Sequence, residues 1–187
     1  MKLYKTVHCL MTAALLWSLS ATLPATLSAQ ETAAVPEEMA ILKHEVGQWD
    51  AEIKFWMPGT DGVTESTGVE TCSMIGEHWL NSQFDYEAFG QKFGGHGVFG
   101  FDSEKKHYVG TWYSSDSPHP IPMTGTWDAD SKTITYEMSG KDEKGNPLKG
   151  KVMTTYVDDK QKNFEMHIDF GGGMLHKMME VKYTRKD

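Results

Sequence analysis

From Trp49 to Met57 the chain alternates. Trp49, Ala51, Ile53, Phe55 and Met57 fall on one parity, Asp50, Glu52 and Lys54 on the other, and only Trp56 breaks the polar face. A period of two marks a half-buried antiparallel strand. The same alternation returns after Gly76, where His78, Leu80, Ser82, Phe84 and Tyr86 share one face and Asn81, Gln83, Asp85 and Glu87 the other. Further strand patterns cover 63–75, 91–102, 105–115, 122–128, 132–138, 148–157, 162–170 and 174–185, separated by turn signals such as PGTDG, SDSPHP, DADS, DEKGNP, DDKQ and GGG. The stretch 91–102 carries glycines inside its strand pattern, a mark of a bend, a bulge or a close approach. A single helix is expected over 36–46, with Met39, Leu42 and Val46 at helical spacing, acids at its start and Gly47 as its stop. About ten sequential strands with short turns predict an all-β fold, a single antiparallel up-and-down β-barrel whose closure removes exposed sheet edges.

The N-terminus has a different pattern. Lys2 and Lys5 precede an apolar run over 10–23, and small residues follow up to Ala29–Gln30. Roughly 20 apolar residues are needed to span a bilayer, so this reads as a cleaved secretory signal over 1–29. A linker over 30–38 and one barrel domain over 39–187 then follow, in an exported protein, periplasmic or secreted. Residues 1–29 hold two of the 18 lysines and arginines and none of the 26 acids, so the remainder carries a net charge of −10. That balance, without a basic block, argues against nucleic acid and anionic membrane surfaces as partners. Beyond the leader only Cys72 remains, so stability must come from packing, and a monomer or weak homodimer is expected.

Gly47-x-Trp49, placed between a helix and the first strand of a meander, resembles the opening of the calycin group, which includes the lipocalins. The resemblance implies that Trp49 packs across the closed end of the barrel under a basic residue of the last strand, Arg185 or Lys182. A wider resemblance covers nearly the whole chain beyond the leader. GQWDAEIKFWMPG, GVFGFDSEKKHYVGTWYSS, TGTWDADSKTITYE and the terminal MEVKYTRK are similar to a bacterial family of calycin-like barrels, the domain of unknown function numbered fifteen seventy-nine. Where members of that family often carry Asp after the Trp–aromatic pair, this chain has Ser114. The family implies a fold and no activity.

Candidate chemistry follows from the barrel. Such a barrel is either filled by side chains or holds one small ligand. The inward residues expected to line a cavity are Phe55, His78, Phe84, Tyr86, Trp112, Tyr136 and Met166, beside Met57, Leu80 and Ile168. They suit an apolar or amphipathic small molecule. Gly47, Trp49 and Arg185 are assigned to barrel closure. Glu165, His167 and Asp169, with His176 or Glu180 across a hairpin, present metal-ligand types on one strand face. The alternation with Phe164, Met166, Ile168 and Phe170 reads that face as solvated, and no metal site is expected. The calycin resemblance brings haem, through His78, His167 or His176, as an alternative to no cofactor. Met178 and Met179 are expected on opposite faces of a regular strand. Neither a G-x-S-x-G nor an H-E-x-x-H motif occurs. An enzyme acting on a small exported substrate, and an envelope protein docking partners through Trp56 and Trp79, remain the competing readings.

Overall fold

A computed structural model describes residues 34–59, 62–142 and 144–187. The expected leader over 1–29 and the start of the linker lie outside the described residues. A short helix, α1 (Met39–Lys43), is followed by ten strands: β1 (Gly47–Trp56), β2 (Val63–Ile75), β3 (Trp79–Ala88), β4 (Gln91–Asp102), β5 (His107–Ser114), β6 (Ile121–Asp128), β7 (Thr133–Lys141), β8 (Pro147–Tyr156), β9 (Gln161–Asp169) and β10 (Leu175–Arg185). Each strand pairs antiparallel with the next, and β1 pairs with both β2 and β10, so the sheet closes into a barrel. The up-and-down barrel expected from period and turns is the fold observed. No helix among the described residues is long and apolar enough to cross a membrane.

Alternation places the side chains as the period requires. Trp49, Ala51, Ile53 and Phe55 are buried along β1, whereas Met57 lies past the strand end and is exposed, so it is not an inner residue. Three of the four β4 glycines, Gly95, Gly97 and Gly100, serve close approach, though of rings rather than of backbone, while Gly94 faces the Asp85 carboxylate. Gly97 lies opposite Trp112 and Phe99 opposite Gly110. A Cβ at Gly95 would overlap the Trp112 indole, and one at Gly97 or Gly110 would overlap the Phe99 ring. The bare backbone lets two large aromatics lie flat along the wall.

The helix is shorter than its pattern. It ends at Lys43 with His44 as C-cap, no acid occupies its first turn, and Val46 is exposed. Gly47 does not cap it. With φ +130°, Gly47 opens β1, and a Cβ there would sit 2.7 Å from Arg185 Nη1. The helix stops early because the chain must turn Glu45 inward, where it is 7% exposed, before entering the sheet. Met39 and Leu42 press into the core, and the Tyr108 hydroxyl donates to Glu38 O at 2.9 Å, so α1 plugs one end of the barrel.

The β9–β10 pair departs from regular register. Lys177 faces His167 while Met179 faces Met166, leaving Met178 as a bulge. The extra residue lets both Met178 and Met179 pack against the core, where a regular strand would have split them between faces. It also places Lys177 by the outer carboxylates.

Candidate functional site

A cavity of about 370 Å³ lies inside the barrel. Its apolar wall is built by alternation, from residues that share the inward parity of their strands: Leu80 and Phe84 from β3, Phe99 from β4, Trp112 from β5, Met138 from β7, Met166 and Ile168 from β9. Toward the hairpins β5–β6 and β7–β8 the lining includes exposed Asp116 and Lys141, so the cavity reaches solvent there. The other half of that rim is shut by rings: Tyr86 stacks between Phe84 (5.2 Å) and Phe93 (5.4 Å), with Phe55 at 5.7 Å behind it.

The inner end is polar. Lys162, 2% exposed, extends from β9 and pairs through Nζ with Glu45 Oε2 and, at 2.7 Å, with Glu70 Oε2 from β2. Ser82 donates to Glu70 Oε1 at 2.7 Å, and the Tyr156 hydroxyl donates to Glu45. The ammonium lies between two ring faces, 4.5 Å from Trp49 and 4.6 Å from Tyr183. Burial alone would push its pKa down. The Glu45 and Glu70 carboxylates more than offset that and hold it above the ordinary lysine value. Burial raises the hydroxyl pKa of Tyr136, Tyr156 and Tyr183 well above the usual value, with Glu45 adding to each. Lysine and tyrosines therefore keep their protons far past neutrality. The Tyr136 hydroxyl is buried and has no hydrogen-bond partner among the described residues.

Beneath this floor Gly47, Trp49 and Arg185 lie together. The Arg185 guanidinium covers Trp49 at 4.0 Å and donates to the carbonyls of His44 (2.6 Å), Val46 (2.5 Å) and Asp159 (2.9 Å). Trp49 Nε1 donates to Glu45 O at 2.8 Å. Arg185 takes this role and Lys182 does not, because Lys182 falls on the exposed parity of β10.

Of the residues expected around a ligand, Phe84, Tyr86, Trp112, Tyr136 and Met166 line the cavity. His78 does not: it sits in the β2–β3 turn, before the inward alternation begins. Phe55 is buried behind Tyr86 and does not reach the cavity. No histidine lines the cavity, so a haem held by a cavity histidine finds no ligand among the described residues. The outer face of Glu165 and His167 is an ion-pair group, with Lys177 Nζ 2.7 Å from Glu165 and 3.1 Å from Glu180, and His167 2.9 Å from Glu165. Ligand atoms of Glu45, Glu70 and Cys72 lie within 4.8 Å of one another. The Lys162 ammonium already occupies the cation position between those carboxylates, and burial, with Glu70 adding, holds the Cys72 thiol protonated. Trp56 carries Lys177 at 5.4 Å, and Trp79 lies against Gly100 while its residue stays exposed.

The sequence reading missed Glu45, Glu70 and Lys162. A signal was available for two of them: Lys162 is in phase with Phe164, Met166 and Ile168, and Glu70 with Cys72 and Met74.

The family model described as "Protein of unknown function (DUF1579)" matches residues 35–185. No curated protein matches the chain. Among solved structures, the crystal structure of Rv2717c from M. tuberculosis is similar with TM-score 0.62 and 12% identity, over 82% of this chain and 100% of that one. A redesigned β-barrel gives TM-score 0.44 and 13% identity, over 79% and 96%. At such identities the Rv2717c likeness speaks to the fold alone.

Proposed function

The chain belongs to this family of unknown function, and from that premise we propose that it is an exported carrier that holds a small apolar or amphipathic molecule inside its barrel. One observation carries the reading: an apolar-walled cavity of about 370 Å³ leads from a solvent-reached mouth to a buried polar floor. That size and lining suit a small-molecule site. Removing ~200 Å² of ligand surface from water would contribute about 5 kcal/mol before ordering costs. Export is supported by the N-terminal pattern of two lysines, a short apolar run and small residues. The mouth offers further support. Phe89, Phe170 and Met174, all exposed, sit on the β3–β4 and β9–β10 connections, which share the cavity's open end. An apolar arc there suits uptake of a poorly soluble cargo.

The test is native mass spectrometry of protein recovered from its export compartment, with an absorption spectrum alongside. A reproducible added mass is expected, lost from Trp112→Ala protein that still melts cooperatively. A bare polypeptide mass, together with no uptake from a panel of lipids and haem, would overturn the carrier reading. So would a Trp112→Ala variant whose melting temperature collapses while the affinity of its folded fraction is unchanged.

A further inference from the structure

Six exposed apolar side chains stand at the open end of the barrel. Met57 and Val63 lie where β1 passes to β2, Phe89 between β3 and β4, and Phe170, Met174 and Leu175 where β9 passes to β10. Because β1 pairs with both β2 and β10, and β2 with β3, these three connections are neighbours around the rim, and the six side chains form one arc. The arc borders the cavity mouth, whose remaining connections, β5–β6 and β7–β8, bring Asp116, Ser117, Lys141 and Asp142 to its lining.

Two details of the arc are costly in water. Phe89 is 56% exposed yet held at φ +54°, a left-handed conformation that a two-residue hairpin turn normally gives to Asn, Asp or Gly. Its ring is thus projected from the tip against both backbone preference and solvent. Between Phe170 and Met174 the loop is three glycines whose N–H groups all donate to Asp169 Oδ1, at 2.8, 3.0 and 3.0 Å. That tip satisfies its backbone donors from within while presenting apolar side chains outward, as entry into a water-poor layer requires.

The charges beside the arc select the layer. Lys54 pairs with Glu65 at 3.9 Å, Glu87 stands opposite Lys92 in the β3–β4 register, Lys177 is held by Glu165 and Glu180, and the Asp169 carboxylate is turned into its own loop. The tips therefore offer no excess of positive charge among the described residues, and the chain is acidic, with 26 Asp and Glu against 18 Lys and Arg. Anionic headgroups would be repelled and zwitterionic ones would not. A second copy of the chain fits less well. Six side chains spread over three separate tips make an arc, not the continuous patch of about 800 Å² per partner that a standard interface buries.

We propose that this arc docks on the surface of a zwitterionic lipid layer, seating its phenyl and aliphatic side chains among the headgroups so that the cavity mouth faces the lipid. The purpose of the contact, passage of cargo between lipid and barrel, rests on the carrier reading; the contact itself does not.

The test floats protein recovered from its export compartment with vesicles of phosphatidylcholine, alone or mixed with phosphatidylglycerol. Wild type should float with the first and about 3-fold less with the second at low salt. Phe89→Asn suits the left-handed turn and Phe170→Ser alters an exposed tip, so both should melt close to wild type, and each should reduce flotation about 5-fold. Ile75→Ser changes a residue 53% exposed at the closed end and should float as wild type does. Flotation that ignores both tip variants, falls equally with Ile75→Ser, or is stronger on the anionic vesicles would overturn the proposal. So would a dimer in sedimentation velocity that both tip variants dissolve without any vesicle binding, which would give the arc to a second copy. Wild type that stays behind yet carries a reproducible cargo mass sinks the docking surface and leaves the carrier reading standing. Flotation with no cargo mass and no uptake does the reverse.

Discussion

Lys162 shows how one side chain can carry several constraints. It holds the Glu45 carboxylate, delivered from just beyond α1, against the Glu70 carboxylate of β2, and it fills the space between Trp49 and Tyr183. Removing one partner of a buried ion pair leaves uncompensated charge, so Lys162→Met should lose about 3–5 kcal/mol in urea unfolding at neutral pH. The sign of its pH dependence follows from the raised lysine pKa. A lysine whose folded value exceeds its unfolded value of about 10.4 gives stability that is whole below that pH and is lost as pH climbs toward the folded value. The gap between wild type and Lys162→Met should therefore narrow above about pH 10.4. A gap that widens there would show that the carboxylates do not hold the ammonium.

At the scale of elements, β4 is a strand in which three of four glycines lie under aromatic rings. Gly95 and Gly97 receive Trp112 and Phe99, and Gly100 receives Trp79, whose Cε3 would be 2.6 Å from an added Cβ. Gly95→Ala must push the Trp112 indole toward the cavity, an overpacking expected to cost about 1–3 kcal/mol by chemical denaturation. Gly172→Ala is the control. Its added Cβ would meet nothing within 4 Å, so the midpoint should stay close to wild type. Similar losses at both positions would mean that chain flexibility, and not ring packing, is why β4 is rich in glycine.

The whole barrel shares one liability, its buried phenols. Tyr108, Tyr136, Tyr156 and Tyr183 all have hydroxyl pKa values raised by burial, Tyr108 to about 12 and the others well above the usual value. Above the unfolded value of about 10, the unfolded chain gives up phenolic protons that the folded chain keeps, so stability falls as pH rises. A cooperative alkaline transition is expected to begin above about pH 10, with most phenolate absorbance appearing inside it. Absorbance that rises fully before circular dichroism changes would mean that these hydroxyls are open to solvent.

The sequence by itself determined what depends on local alternation. Period two and the turn residues placed all ten strands and turned Phe84, Trp112, Tyr136 and Met166 inward, while the closed end at Trp49, under Arg185 or Lys182, was implied by the calycin resemblance of Gly47-x-Trp49. These were legible because a strand's neighbours fix which way each side chain points. The tertiary structure decided what depends on register and closure. Glu45, Glu70 and Lys162 come from the turn after α1, from β2 and from β9, and only a barrel that closes β1 onto both β2 and β10 brings them together. The Met178 bulge, the retreat of His78 to a turn and of Phe55 behind Tyr86, and the unpartnered Tyr136 hydroxyl belong with them. A polar residue in phase with apolar neighbours says only that it points inward. What it meets there is set by strands far away in the chain, because burial demands a partner and the fold alone supplies one.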